Sequence, residues 1–229
     1  MAKAKIDQDP QAIVPAIEKF LRHARTFDVE PTPLQIEQIR NYVTELLRWN
    51  EKINLTAARG PEEVLLRHVL DALAPLERLS GVHRLLDVGP GGGLPGIPIK
   101  VFRPDIFVSL LEARRKKASF NQHIVDRLGL EGIEVIWARL GDEEVDLKYA
   151  NRPFDGIITR AALPVAEVLR MGKSILQPGG TILLMLGAID QGQRAALEEE
   201  AVSQGRCVAE VSPYRLPGLD RTRNLVLIR

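Results

Sequence analysis

Leu85-Leu86-Asp87-Val88-Gly89-Pro90-Gly91-Gly92-Gly93-Leu94-Pro95-Gly96-Ile97-Pro98 joins an apolar run to a glycine-rich turn and is the most diagnostic segment of the chain. It reads as a buried strand that ends in a carboxylate, turns through glycines and enters a proline-started helix. Glycine lets a backbone take positive φ and approach a ligand closely. The helix beyond is expected to offer free N–H groups and its positive dipole end to a polar or anionic group. The stretch therefore predicts a nucleotide-like cofactor site at the end of a central strand.

Downstream of Arg84, strand and helix alternate. The pattern predicts strands at Arg84–Val88, Ile106–Leu111, Ile133–Ala138, Phe154–Thr159, Thr181–Leu186, Cys207–Val211 and Asn224–Ile228. Helices are expected over roughly Ile97–Phe102, Arg115–Leu128, Pro164–Leu176 and Asp190–Gln204, with Pro178-Gly179 as a turn between elements. Apolar strands joined by helices form a mostly parallel sheet covered on both faces, an α/β architecture. The Pro- and Gly-rich segment Ser212–Arg223 replaces a helix between the last two strands and predicts an antiparallel hairpin at one edge. Ligands of such sheets bind outside the carboxyl ends of the strands where strand order reverses.

Upstream, from about Gln11 to Ala74, the spacing is helical. Ile13, Ile17, Phe20 and Leu21 recur on one face, as do Leu34, Ile36, Ile39, Val43, Leu46, Leu47 and Trp49 after Pro31-Thr32-Pro33. Asn54-Leu55-Thr56 reads as a break, and Pro61-Glu62-Glu63 opens a third stretch through Leu73. Ser80-Gly81 marks a joint, so residues 1–80 are expected as a helical extension and residues 81–229 as the cofactor-binding domain.

The 229 residues are 45% hydrophobic and 27% charged, ordinary for a soluble globular protein. With 5% aromatic residues and a net charge of +1, neither a broad base-stacking platform nor a global field for nucleic acid is expected; an RNA partner must use local patches. One cysteine, Cys207, excludes an intrachain disulfide and reads as a core residue. Met1–Asp7 lacks a signal peptide's apolar centre and no apolar run is long enough for a bilayer, which predicts a cytoplasmic protein. His23, His68, His83 and His123 show no metal-ligand spacing, and no metal is expected. Trp49 and Trp137 read as packing residues.

Two glycine registers overlap in the loop. Gly91, Gly93 and Gly96 fit the dinucleotide spacing G-x-G-x-x-G, while Gly89, Gly91 and Gly93 fit the G-x-G-x-G of adenosylmethionine binders. Asp87, at the strand end, suits the amino acid end of adenosylmethionine and opposes a pyrophosphate. Pro95 removes an N–H that a pyrophosphate would use. Glu112, ending the next strand, can accept two ribose hydroxyls, which serves NAD equally. These residues favour S-adenosylmethionine and leave a dinucleotide as the alternative.

Several blocks read in order carry a more specific signal: Asn54-Leu55-Thr56-Ala57, His68-Val69-Leu70-Asp71-Ala72-Leu73, the glycine stretch, Leu111-Glu112 with Lys116-Lys117 and Phe120, Phe154-Asp155, Thr159-Arg160-Ala161, Tyr214-Arg215-Leu216-Pro217-Gly218 and Arg223-Asn224-Leu225-Val226. Together, from about Leu34 onward, they resemble the RsmG (GidB) family of bacterial rRNA methyltransferases. The resemblance implies a Rossmann-like class I methyltransferase fold and an S-adenosylmethionine-dependent enzyme. It also implies methylation at N7 of one guanine in 16S rRNA, with that rRNA or the small ribosomal subunit as partner. It places the cofactor at positions matching Gly89, Leu94, Leu140-Gly141 and Arg160, with Glu112 at the ribose; Asp87 and Gly91 join them from the loop reading.

Two departures from the family pattern stand out. Arg139-Leu140-Gly141-Asp142 replaces the usual Arg-Ala-Glu, which leaves main-chain groups of Leu140 and Gly141 for the adenine edge and Asp142 as the substitute carboxylate. Leu186-Gly187 replaces Lys-Gly. Guanine N7 carries a lone pair and no proton, so the chemistry needs orientation rather than a general base. Arg160 is the side chain expected to position a cofactor carboxylate or a substrate phosphate. His68 and Asp71, at i and i+3, are expected to share a helix face turned to the main domain. Arg114, Arg115, Lys116 and Lys117 oppose the dipole of the helix they start, which marks them as candidate RNA contacts. A different methyl acceptor, or a non-catalytic ribosome-associated module, are the competing readings.

Overall fold

The computed structural model describes residues 13–160 and 163–229; the helix start near Gln11, Met1–Asp7 and Ala161 of the Thr159-Arg160-Ala161 block lie outside them. Helix α1 (Ile13–Ala24) buries Ile13, Ala16, Ile17, Phe20 and Ala24, one apolar stripe at helical spacing. Helix α2 (Pro33–Asn50) starts at a reciprocal cap. Thr32 Oγ1 accepts the Gln35 N–H and Gln35 Oε1 accepts the Thr32 N–H, at 3.3 and 2.9 Å, an arrangement worth about 1 kcal/mol. Helix α3 (Pro61–Val64) runs into a π-helical turn, Leu65–Val69, then into a 3-10 turn at Asp71–Leu73.

Seven strands follow: β1 (Arg84–Val88), β2 (Phe107–Leu111), β3 (Ile133–Ile136), β4 (Phe154–Thr159), β5 (Leu176–Leu186), β6 (Val208–Tyr214) and β7 (Arg223–Ile228). Their order is β3-β2-β1-β4-β5-β7-β6, with β7 antiparallel to both neighbours and the other pairings parallel. The doubly wound sheet and its antiparallel edge hairpin are those expected from the alternation. Strand order reverses between β1 and β4, so the glycine stretch stands at the switch point. Helices α4 (Gly96–Phe102), α5 (Arg115–Leu128), α6 (Glu143–Tyr149), α7 (Val165–Gly172) and α8 (Gln191–Ser203) cover the sheet.

Successive strand residues feed opposite faces. Leu85, Ile158 and Leu183 join a core with α1, α2, α4 and α5, whereas Leu86, Ile157 and Leu184 join a second core with α6, α7 and α8. Phe20, Tyr42 and Leu46 thus share one apolar cluster with Ile97, Leu110 and Phe120.

Several local expectations are corrected. Strand β5 begins at Leu176 rather than Thr181, and Pro178-Gly179 forms an irregularity inside it, where the β4 register passes from Phe154↔Leu176 to Gly156↔Thr181. Helix α7 accordingly stops at Gly172. Helix α6 lacks a strong pattern in the sequence because only Val145 and Tyr149 are buried among acidic neighbours. Cys207 is exposed rather than in the core: it adjoins β6, the edge strand, paired on one side only. Trp49 packs against Phe120 and His123, with ring centroids 5.6 and 5.2 Å away. Trp137, just beyond β3, is 59% exposed and does not pack in the core. No helix among the described residues is long and apolar enough to cross a membrane.

Candidate functional site

The glycine loop leaves β1 through Gly89, whose N–H donates to Leu111 O at 2.9 Å. Gly89 and Gly91 have φ of 70° and 59°, a region that penalises side chains. The α4 N–H groups do not face a ligand, contrary to the expectation from sequence. Gly96 N–H donates to Asp87 Oδ2 at 2.7 Å and Ile97 N–H to Gly93 O at 2.8 Å, while Pro98 has none. A Cβ on Gly96 would stand 2.7 Å from that same Asp87 oxygen. Close packing of the loop on Leu110, whose Cδ2 would be 2.4 Å away, and on the Asp87 carboxylate requires glycine there.

Asp87 is fully buried, and its other oxygen, Oδ1, has no hydrogen-bond partner among the described residues. Burial pushes its pKa up to about 7, against the opposing effects of the Gly96 hydrogen bond and the Arg160 charge. The loop is held from behind by α2: Tyr42 Oη donates to Gly92 O at 2.6 Å, in a buried contact. Burial raises the Tyr42 pKa, which keeps the phenol protonated as a donor. Asn121, also fully buried, has both amide atoms without partners. In the sequence Tyr42 and Asn121 each read as an ordinary helix residue, with no signal of a role at the loop.

In front of the loop lies a cleft of about 440 Å3 lined by Gly89, Gly91, Glu112, Arg114, Lys117 and Leu140, among others. Glu112 is oriented by two backbone donors: Gly91 N–H reaches Oε2 at 2.9 Å and Arg114 N–H reaches Oε1 at 2.8 Å. Each carboxylate oxygen keeps acceptor capacity beyond one hydrogen bond. Lys117 hangs over Gly91, its Nζ 3.6 Å from where a Cβ there would stand. Arg114 and Lys117, expected as RNA contacts, thus line the cleft, whereas Arg115 and Lys116 are exposed on the first turn of α5.

Leu140 forms part of the far wall and Met171 another. Gly141 has φ of 88°, and a Cβ on it would lie 2.8 Å from Met171 Cε. The positive φ is what favours glycine there, since the Met171 thioether methyl is the end of a flexible side chain that can move aside. Asp142 is not the substitute carboxylate: its Oδ2 accepts Arg139 N–H at 2.7 Å, closing the turn before α6. Leu94 is buried outside the cleft wall, its N–H donating to Pro90 O at 2.9 Å. Leu186 lies opposite Asn224 and packs on the second core, an apolar contact in the place of a lysine.

Arg160 turns away from the cleft wall into a polar cluster at the carboxyl end of β4. Its Nη1 lies 3.5 Å from Asp71 Oδ2 and 3.3 Å from His68 Nδ1. Asp71 is fully buried. It also accepts Arg223 Nη1 at 2.9 Å and Tyr214 Oη at 2.7 Å. Arginine can only donate, so His68 Nδ1 is the acceptor and its Nε2–H donates to Thr56 Oγ1 at 2.8 Å. Burial, helped by the Arg160 and Arg223 cations, lowers the His68 pKa to about 4 and keeps the ring neutral. Thr56 is in turn fixed by Asn50, whose Oδ1 accepts the N–H groups of Leu55 and Thr56 at 2.8 and 3.0 Å.

His68 and Asp71 thus face the main domain as expected, with Arg160, rather than each other, as the shared partner. The π-helical turn carries His68, a backbone irregularity frequent at functional sites. Among the described residues, no group of three His, Cys, Asp or Glu side chains is arranged to hold a metal ion.

The fold is shared with solved methyltransferases. Precorrin-6y C5,15-methyltransferase from Geobacter metallireducens superposes with a TM-score of 0.53 at 15% identity, covering 76% of this chain and 90% of that one. Aeropyrum pernix fibrillarin, solved with S-adenosyl-L-methionine bound, gives 0.51 at 18% identity, covering 64% and 66%. Similarity in sequence is closer. The ribosomal RNA small subunit methyltransferase G of Chromobacterium violaceum is 36% identical over 86% of this chain and 90% of its own. That of Geobacter sp. strain M21 is 35% identical over 93% and 97%. The family model of rRNA small subunit methyltransferase G (GidB) matches residues 35–224. With the glycine loop, the Glu112 cleft and the Arg160 cluster in the positions that these blocks occupy, the chain belongs to the GidB family of rRNA small subunit methyltransferases.

Proposed function

We propose that this protein is an S-adenosylmethionine-dependent methyltransferase that methylates N7 of a guanine in 16S rRNA. The observation that carries the reading is the cleft beside Gly89 and Gly91 at the sheet's switch point, with Glu112 fixed by two backbone N–H groups, in a chain of the GidB family. The residues fit the cofactor. Glu112 retains acceptor capacity for ribose hydroxyls, Gly91 leaves room beneath Lys117, and Asp87 has an unpartnered buried oxygen behind the loop.

In this reading Asp87, Gly89, Gly91 and Leu94 hold the amino acid side, directly or through the loop backbone. Glu112 holds the ribose, and Leu140 with Gly141 the adenine edge. When bound, S-adenosylmethionine supplies a methyl group activated on a sulfonium. The chain's task is then orientation. An in-line approach of N7 to the methyl carbon needs no general base, and orientation contributes up to roughly 7–11 kcal/mol. Neutral His68 and paired Arg160 suit that task, since neither must exchange a proton. Arg160 positions the acceptor from the end of β4.

The reading takes residues 1–80 as a helical extension and 81–229 as the cofactor-binding domain. It takes the protein as cytoplasmic, acting on 16S rRNA alone or within a small ribosomal subunit particle. Two measurements test it. Calorimetric titration is expected to show adenosylmethionine binding, whereas NAD(P)H binding without it would reject the cofactor. Mapping N7-methylguanine in small-subunit rRNA from cells with and without the gene is expected to show one site disappear; an unchanged map would reject the substrate.

A further inference from the structure

Trp137 is the exposed aromatic that neither the core nor the cofactor cleft explains. It follows β3 directly, and 59% of it is open to solvent. Two contacts nevertheless hold it: Nε1–H donates to Ala113 O at 3.2 Å, and the Arg115 guanidinium lies over the ring, 5.2 Å from its centroid. A tryptophan left this exposed contributes little to folding through burial. The ring is oriented but not used.

Its surroundings indicate the kind of partner. Trp137 and Arg115 border a shallow groove of about 260 Å3, completed by Ala118, Ser119, Gln122 and Val135. The groove adjoins the cofactor cleft, because Ala113, which accepts the Trp137 hydrogen bond, also lines that cleft, as does Arg139. Arg114, Arg115, Lys116 and Arg139 are exposed around it, and none forms an ion pair among the described residues. A protein partner would call for a larger apolar patch. One flat ring set among unpaired cations matches unpaired RNA, in which bases stack on aromatic faces while phosphates meet arginine and lysine.

We propose that Trp137 and Arg115 form a stacking platform for an unpaired base of the rRNA substrate that flanks the methylated nucleotide, with Arg114, Lys116 and Arg139 meeting the phosphates of that strand. The proposal rests on the rRNA reading given above and adds to it the residue that grips the flanking nucleotide.

The chain has two tryptophans, so a Trp49→Phe background reports on Trp137 alone. Titrating that variant with 16S rRNA from cells lacking the gene is expected to quench its fluorescence saturably. With the same rRNA as methyl acceptor, Trp137→Ala is expected to raise the rRNA KM about 5- to 160-fold, the range typical of losing one base stack. The kcat at saturating rRNA and the adenosylmethionine affinity should hold, and Trp137→Phe should recover most of the loss. An unchanged KM in Trp137→Ala, beside an active wild type, overturns the platform and leaves the rRNA reading standing. Absence of methyl transfer by the wild type both to this rRNA and to small-subunit particles from the same cells overturns both.

Discussion

Replacing Asp87 by asparagine is expected to make the cofactor-free protein more stable while removing its ability to bind the cofactor. The carboxyl group is fully buried, with one hydrogen bond from Gly96 and one oxygen unpartnered. Its pKa rises from 3.8 to about 7. At about 1.36 kcal/mol per pKa unit, the ionised form therefore opposes folding by about 4 kcal/mol. The sign follows from proton binding. Between pH 4 and 7 the folded state holds a proton that the unfolded state has lost, so this group's contribution is complete at acid pH and vanishes as pH rises through 7. Asparagine does not ionise, but its amide NH2 replaces the unpartnered oxygen and costs about 1–3 kcal/mol in a buried site. At pH 7.5 the net gain should be about 1–3 kcal/mol. Urea denaturation of both proteins from pH 4.5 to 7 checks this. The stability difference should grow by about 1.4 kcal/mol per pH unit in favour of Asp87→Asn. A difference that does not change with pH would refute the reasoning.

Gly91→Asp is expected to abolish cofactor binding in calorimetry, because it strains φ and sets a second carboxylate beside Glu112; unaltered affinity would mean that the cleft is misassigned. Tyr42→Phe removes the donor to Gly92 O and should cost about 1–3 kcal/mol, read by thermal unfolding, together with a weaker adenosylmethionine affinity. Arg160→Ala should abolish methyl transfer to rRNA with cofactor affinity retained; retained turnover would remove its positioning role. Gly141→Glu, which restores the carboxylate expected from the family pattern, should lower the unfolding temperature without improving cofactor affinity, since a φ of 88° strains any side chain there and Met171 must shift to admit it.

The strand-and-helix alternation was legible because apolar runs are punctuated by glycine and proline, and β1, β4 and α5 lie where their patterns begin and end. The sequence shows residue types along one dimension, and edge strands look like central ones in it. Cys207, next to Val208 in an apolar alternation, lies exposed at the start of the edge strand β6. The cofactor loop was legible too, but not the internal use of its N–H groups by Asp87 and Gly93. That depends on how tightly the loop closes over β1. Asp71 could be placed on a helix face from its spacing with His68. Its partners Tyr214 and Arg223 stand 143 and 152 positions away, and only the docking of the hairpin brings them near.

That separation bears on how the protein is made. The chain leaves the ribosome from its N-terminus, so Asp71 is present long before Arg223 and Tyr214. Until the hairpin docks, a buried carboxylate lacks one of its two cations and its phenol, and breaking such a pair costs several kcal/mol. Arg160, at the end of β4, meets Asp71 and His68, so the hairpin reaches it through the Asp71 carboxylate they share. A prematurely terminated product would lack these two contacts to Asp71 and leave its buried carboxylate with Arg160 as its cation.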